Sequence, residues 1–212
     1  MGRVQETSAT PCHGGMPTAY DGAVIEPDPR TPTILLRPMQ PRDVDALLAV
    51  ERSAFAVSWP ATAFQNELTQ NAMARYLVLD EGGEVAGFGG LWLMLDEAHV
   101  VTVAVRPERR RLGLGRLIVH GLMLLAESQG MELATLECRV SNLAARALYG
   151  CYGFYEVGLR HKYYPDNQED AVIMTTEALA SAAYQERLRR LQGELELLLP
   201  GAKISTGPRS GE

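Results

Sequence analysis

The sequence predicts a mixed α/β fold: a central sheet of about seven strands, helices on both faces, and an amphipathic helix at the C-terminal end. Three observations predict it. Apolar runs with the two-residue period of strands alternate with runs of helical period, in the order strand, two helices, three strands, helix, strand, helix, two strands. The apolar, β-rich run 98–105 passes through the loop Arg106-Pro-Glu-Arg-Arg-Arg-Leu-Gly-Leu-Gly-Arg116 directly into a helical run. The chain of 212 residues, 46% hydrophobic and 22% charged, has the composition of one globular domain with appendages.

Residues 1–32 carry Pro11, Pro17, Pro27, Pro29 and Pro32 with no period, and are expected to be a flexible leader. The domain proper is expected over 33–177, beginning with a short strand at 33–37. Gln40-Pro-Arg-Asp43 opens a helix with Asp43 as its N-cap, and a second helix runs over 60–69. Strands at 76–79 and 84–95 flank a hairpin turn at Glu81-Gly-Gly83, and Asp96-Glu97 separates them from the strand 98–105. A helix over 112–129, a strand over 133–138 and a short helix over 142–149 follow, the last capped by Ser141 or Asn142. Strands at 154–164 and 171–175 close the sheet around the turn 165–170. In the segment 178–212, Leu188, Leu191, Leu195 and Leu198 form one apolar stripe, suited to docking on the domain or to a homodimer contact, before a tail with Pro200, Gly201, Gly207 and Pro208.

A net charge of −6 speaks against general nucleic-acid binding, yet five arginines fall between Arg106 and Arg116, which makes a local anion site. Three scattered cysteines, Cys12, Cys138 and Cys151, suggest reduced thiols in a cytoplasmic protein. No apolar stretch is long enough for a membrane span, and no His, Cys, Asp and Glu group has metal-ligand spacing, so neither a membrane nor a metal is expected.

A strand, an Arg/Gly loop and a helix in succession form a phosphate-binding design. Glycines let backbone N–H groups approach an anion, and the helix N-terminus adds unpaired donors and a positive dipole end. A Walker-type loop would need Lys and Ser or Thr after its last glycine, where this chain has Arg116, and a dinucleotide fingerprint would need a third glycine. A positively charged surface turn is the plainer alternative.

The pattern Arg110-x-x-Gly113-x-Gly115 resembles the pyrophosphate-binding signature of the GNAT acetyltransferases. Further segments resemble one branch, the RimI type: 54–64, Asp96-Glu-Ala98, Leu136-Glu-Cys-Arg-Val-Ser-Asn142 with Ala147-Leu-Tyr-Gly-Cys-Tyr-Gly-Phe154, and Tyr163-Tyr-Pro with Glu169-Asp-Ala-Val-Ile-Met174. One departure is visible: the RimI pattern has Trp-Ser in the first loop, where this chain has Trp59-Pro60 with Ser58 in front. The resemblance implies the GNAT fold, acetyl-CoA as co-substrate and a protein N-terminus as acceptor, the alanine of a small-subunit ribosomal protein.

Acetyl transfer to an amine needs a base for the ammonium and an acid for the thiolate. The resemblance places the base at Glu137, a charge in mid-strand, and the acid at Tyr149; an outward strand glutamate and a core aromatic are the plain alternatives. It places the pantetheine arm along the backbone of Val103, Ala104 and Val105. It assigns the pyrophosphate to Arg110, Arg111 and Leu112, to Gly113 and Leu114, and to Gly115 and Arg116. Asn142 is expected to contact the cofactor, cap its helix, or both. Tyr163 and Tyr164, and with them Trp59 and His99, are the candidates for the acceptor, and Glu97 is a lesser one. With no positive environment singling out Cys138 or Cys151, direct transfer is expected over an acyl-enzyme. Acetylation of lysine or a small amine, and a catalytically inactive acyl-CoA-binding module, are the competing functions.

Overall fold

The computed structural model describes residues 33–55, 59–60 and 62–207. The leader, Cys12, Ser58 and the last five residues lie outside the described residues. Among the described residues, eight strands form one sheet: β1 (Ile34–Pro38), β2 (Ala74–Glu81), β3 (Glu84–Met94), β4 (Glu97–Val105), β5 (Leu133–Arg139), β6 (Tyr155–Arg160), β7 (Ala171–Thr175) and β8 (Lys203–Ile204). Their order across the sheet is β6-β7-β5-β4-β3-β2-β1-β8. The helices are α1 (Val44–Ala54), α2 (Ala63–Thr69), α3 (Leu114–Ser128), α4 (Leu143–Cys151) and α5 (Ala182–Leu198). The mixed sheet with helices on both faces is the fold the sequence predicts.

Most pairs are antiparallel, beginning with the β2–β3 hairpin, whose two turn glycines, Gly82 at φ 64° and Gly83 at φ 95°, adopt the left-handed conformation such a turn requires. The functional consequence lies in the parallel pair β4–β5. Only Glu97–Val100 pair with Leu133–Leu136; beyond them the two strands part. β4 continues its ladder with β3 through Val105, and β5 continues with β7 through Arg139. A bulge at the Gly90/Leu91 step, which leaves Val101 as the extra residue of β4, adds local twist at the point of parting.

One core fills the α3 side of the sheet, with Leu36, Leu77, Leu91, Ile118, Leu122, Leu136 and Met174. A second fills the α1 and α2 side, with Leu47, Val50, Phe64, Val78 and Phe88. Helix α3 is buried almost all round because the sheet covers one side of it and α5 another. It lies close to β3: a Cβ on Gly89 would come 2.5 Å from Ile118 Cγ2.

Several boundaries differ from expectation for physical reasons. Helix α3 starts at Leu114, not at residue 112, because Arg111 (φ 66°) and Gly113 (φ 85°) are left-handed and keep the loop open. Strand β6 ends at Arg160, so Tyr163 and Tyr164 sit in the following turn; Asp170 takes the Lys162 N–H at 2.8 Å and His161 Nδ1 at 2.8 Å, and Lys162 itself is left-handed. Asp43 is already helical; instead of capping α1 it accepts from Gln40 N at 2.8 Å and pairs with Arg37 at 2.7 Å. Helix α5 begins at Ala182, capped by Ser181, which accepts from Tyr184 N. It packs Leu188, Leu191 and Leu195 into its own chain, leaving Leu197 and Leu198 as its exposed leucines, so the stripe serves docking on the domain, the first of the two uses expected of it. Strand β8, two residues long, pairs with β1 in a tail expected to be irregular. Cys138 is a free, buried thiol.

Candidate active site

The parting of β4 and β5 opens a cleft whose walls are backbone. Val103, Ala104 and Val105 pair with β3 on one side only, and no described strand pairs with their other edge. Their side chains serve the two cores: Val105 the α3 side, Ala104 the α1 side. The edge that faces the cleft is thus free to pair with an amide-bearing arm in the manner of an added strand.

The loop after β4 is braced by its arginines. Arg106 Nε donates to Val85 O at 2.7 Å, Arg109 is bound by the Glu81 carboxylate, and Arg110 Nε donates to Val105 O at 3.1 Å. With these side chains committed to the frame, the loop presents its backbone. Left-handed Arg111 and Gly113 alternate with ordinary residues, an arrangement that turns successive N–H groups to one side. Gly113 is the N-cap of α3 and no side chain caps it; the first intrahelical bond is Leu117 N to Gly113 O, at 3.1 Å. The N–H groups of the first turn therefore remain available to an anion. A Cβ on Gly115 would meet only Leu148 of α4, at 3.6 Å, so the approach is open. Arg116 turns its guanidinium away to Glu194 of α5, at 2.7 Å. This donor set and the free β4 edge fit a diphosphate followed by an amide-containing arm.

A polar chain crosses the cleft's inner end. Strand alternation puts Thr135 and Glu137 on one face of β5 and Ala134, Leu136 and Cys138 in the core. The Glu137 side chain is 8% exposed; its Oε2 lies 2.9 Å from His99 Nε2, and its Oε1 2.9 Å from Arg160 Nε. His99, paired with Thr135 across β4 and β5, meets the Thr135 hydroxyl through Nδ1 at 3.0 Å, and that hydroxyl donates to Glu97. The bond from His99 and the His99 and Arg160 charges hold the Glu137 carboxyl below its usual range, against the opposing push of burial.

The aromatic side of the cleft is formed by α4 and the β6–β7 turn. Burial raises the Tyr149 phenol above its ordinary range, with Cys138 and Tyr164 adding to the shift, and its ring lies 5.7 Å from that of Phe154. The Tyr163 and Tyr164 rings are perpendicular, 5.2 Å apart. Burial pushes Tyr164 up to about 12, and the Glu137 charge raises both phenols; Arg160, which binds Glu137, lies 5.8 Å from the Tyr163 ring centroid. Arg139 anchors the turn: it lies 3.8 Å above the Tyr164 ring and binds Asp166 at 2.9 Å and Glu169 at 3.1 Å.

Glu137, His99, Tyr163 and Tyr164 are thus gathered at one end of the cleft, with the arginine and glycine loop at the other, and Tyr149 stands on α4, whose Leu148 borders Gly115. Two other candidates have local duties. Asn142 caps α4, accepting from Ala145 N at 3.1 Å. Trp59 packs its ring 5.5 Å from Phe64 and donates its backbone N–H to buried Glu51 at 2.9 Å. Thr135, Arg139 and Arg160 carry no motif of their own; the period of β5 puts Thr135 and Arg139 on the face of Glu137, which is the one signal that could have found them. Burial pushes the Cys138 thiol up to about 11. Among the described residues, no three His, Cys, Asp or Glu side chains form a metal site, and no helix is long and apolar enough to cross a membrane.

The family model described as acetyltransferase (GNAT) family matches residues 44–154. A ribosomal protein bS18-alanine N-acetyltransferase from Escherichia coli is 38% identical over 140 residues, 64% of this chain and 92% of that protein. Its counterpart from Salmonella typhimurium is 37% identical over 134 residues, 62% of this chain and 89% of that protein. The crystal structure of the ribosomal-protein-S18-alanine N-acetyltransferase from Escherichia coli superposes with a TM-score of 0.64 at 33% identity, covering 71% of this chain and 97% of that one.

Proposed function

The chain belongs to the acetyltransferase (GNAT) family and is an acetyl-CoA-dependent N-acetyltransferase; from that premise we propose that its acceptor is the α-amine of a protein N-terminus, the alanine of a small-subunit ribosomal protein as in the relatives' names. The observation that carries the proposal is the position of Glu137: a nearly buried carboxylate at the parting of β4 and β5, bound by Arg160, which lies 5.8 Å from the ring of Tyr163 in the tyrosine pair. An extended chain end suits such a pair, with the tyrosine hydroxyls and ring faces available to its backbone.

Acetyl-CoA supplies the activated thioester. Its pyrophosphate is assigned to the N–H groups from Arg111 to Arg116, and its pantetheine arm to the open edge of Val103–Val105. Glu137 is ionised at neutral pH and accepts a proton from the incoming ammonium, directly or through water. Its bonds to His99 and Arg160 occupy both of its oxygens, so the substrate ammonium must take over one of their places. Arg160, with 55% of its side chain exposed, is the partner that can yield, while His99 keeps the carboxylate in position. Tyr149, held protonated by burial, is suited to give its proton to the departing sulfur. Direct transfer is favoured over an acyl-enzyme, since a thiol at about 11 is thiolate in only about one molecule in ten thousand at neutral pH.

The test is transfer of labelled acetyl to peptides with free N-termini beginning Ala, Ser, Met or Gly, against N-terminally blocked peptides with one internal lysine. Label on free termini alone, strongest on Ala, is the expected result. Label on the blocked peptides would replace the proposal with lysine acetylation. Bound acetyl-CoA without transfer would leave a small-amine acceptor or a binding module.

A further inference from the structure

Helix α5 and strand β8 lie beyond residues 44–154, the extent of the family match. Helix α5 runs back along α3. Tyr184 in its first turn is near enough to Glu127, at the far end of α3, for that charge to act on its phenol. At the other end of α5, Glu194 binds Arg116 at 2.7 Å, and Leu198 reaches Gly113. A Cβ on Gly113 would lie 2.5 Å from Leu198 Cδ2 and 3.8 Å from Leu199 Cδ1, so the leucine methyls rest on the glycine backbone. The C-terminal end of α5 thus meets α3 at the turn where its free N–H groups begin.

We infer that α5 positions the cofactor loop: Leu198, seated by the Glu194–Arg116 ion pair, holds Gly113 in the left-handed turn that aims the first N–H groups of α3 at the pyrophosphate of acetyl-CoA. The inference rests on the proposed role of that loop. The three atoms nearest to a Cβ on Gly113 all belong to Leu198 and Leu199. Gly113 has no side chain to pack, its neighbour Leu112 is exposed, and no side chain caps the helix. A turn without support must be ordered by the ligand, at the expense of affinity; one already held in place spares that cost. Glu194 also ties down the Arg116 guanidinium, and Arg190 shares the carboxylate at 2.7 Å. Burial pushes Glu194 up, but the two guanidinium groups more than offset it and leave the carboxyl lowered, hence ionised. Removing Glu194 would take a negative charge from beside an anion site and so mix two effects. Leu198 is neutral and separates them.

Acetyl-CoA dissociation constants, KM, kcat and Tm are measured on the full chain. Leu198→Ala should weaken acetyl-CoA in Kd and KM by about fivefold, at the lower end of measured site couplings, with kcat and Tm nearly unchanged. A merely structural contact would move Tm and leave the KM to kcat ratio alone, and a side chain 48% exposed has little stability to lose. Leu198→Met should restore affinity, and Leu197→Ala, at an 87% exposed neighbour, should change nothing. Gly115→Leu, which places a side chain before the N–H groups without touching α5, tests the loop itself. If Gly115→Leu weakens acetyl-CoA and Leu198→Ala does not, the loop holds the pyrophosphate and α5 is no positioning element. If Gly115→Leu binds acetyl-CoA as the parent does, the loop assignment fails and the inference falls with it.

Discussion

His99 Nε2 stands 2.9 Å from Glu137 Oε2, joining the two strands at the point where they part. The last paired residues of β4 and β5 are Val100 and Leu136, so this contact lies at the apex of the cleft. Register produces it: His99 faces Thr135, and Glu137 follows on the same face of β5. It fixes a carboxylate where the backbone ladder has just stopped, and Arg160 on β6 holds its other oxygen.

Glu137→Gln keeps the shape and removes the proton acceptor. Turnover should fall by about 10²- to 10⁴-fold, the usual contribution of a positioned base, while calorimetric binding of acetyl-CoA stays near the parent value. A fully active variant would show that Glu137 is not the base.

His99→Ala should move the acid limb of the pH–rate profile. As the proposed base, Glu137 works only when ionised, and the His99 bond is the largest cause of its lowered pKa. With that cause removed, burial raises the carboxyl again, so activity should be lost at higher pH than in the parent. The check is kcat against pH at saturating acetyl-CoA. An unmoved limb would separate His99 from the titration of Glu137.

Tyr149→Phe removes one hydroxyl from a partly buried ring. Because burial raises the parent phenol above the ordinary tyrosine range, Tyr149 should contribute no alkaline limb within that range. The variant should therefore lose roughly 10²-fold in kcat by a similar factor at every pH, with KM for acetyl-CoA little changed. A loss confined to high pH would contradict the role of acid.

Asp43→Asn probes stability apart from chemistry. Burial alone pushes Asp43 up, but the Arg37 bond, the Gln40 N–H and the Arg37 charge outweigh it and leave the carboxyl lowered. A lowered folded pKa means that the stabilisation is present above the usual aspartate range and is lost as pH falls through the folded value. Removing one partner of a buried pair costs 3–5 kcal/mol; since Asp80 still binds Arg37 at 3.0 Å, a loss of roughly 2–3 kcal/mol is expected at neutral pH. Denaturant unfolding of variant and parent should show the gap at neutral pH, shrinking in acid.

The fold was legible because its elements announce themselves locally. The strand before Arg106, the glycines of the loop and the apolar face of α3 are each a property of a few adjacent residues. What escaped depends on distant partners or on backbone angles. Arg111 adopts a left-handed turn that its side chain does not advertise, and with Gly113 it delays α3. Two-residue β8 is too short to show a period, and exists because β1 offers it an edge. At the site, the unusual mid-strand charge marked Glu137, but Arg160 joins it only through the fold of β6 against β7, which no local pattern encodes.

Gly113→Val should expose how much the loop depends on that left-handed turn. At φ 85° a β-branched residue is strained by about 1–2 kcal/mol, and its Cβ would sit 2.5 Å from Leu198 Cδ2, so either the turn or the end of α5 must move. Either movement withdraws the first N–H groups of α3 from a common target. KM for acetyl-CoA should therefore rise by at least about tenfold, as expected when an aligned donor set is broken, whereas kcat at saturation should fall less because Glu137 lies at the other end of the cleft. Titration with acetyl-CoA and a saturation curve decide it. Unchanged affinity in a folded variant would mean that the anion is held elsewhere.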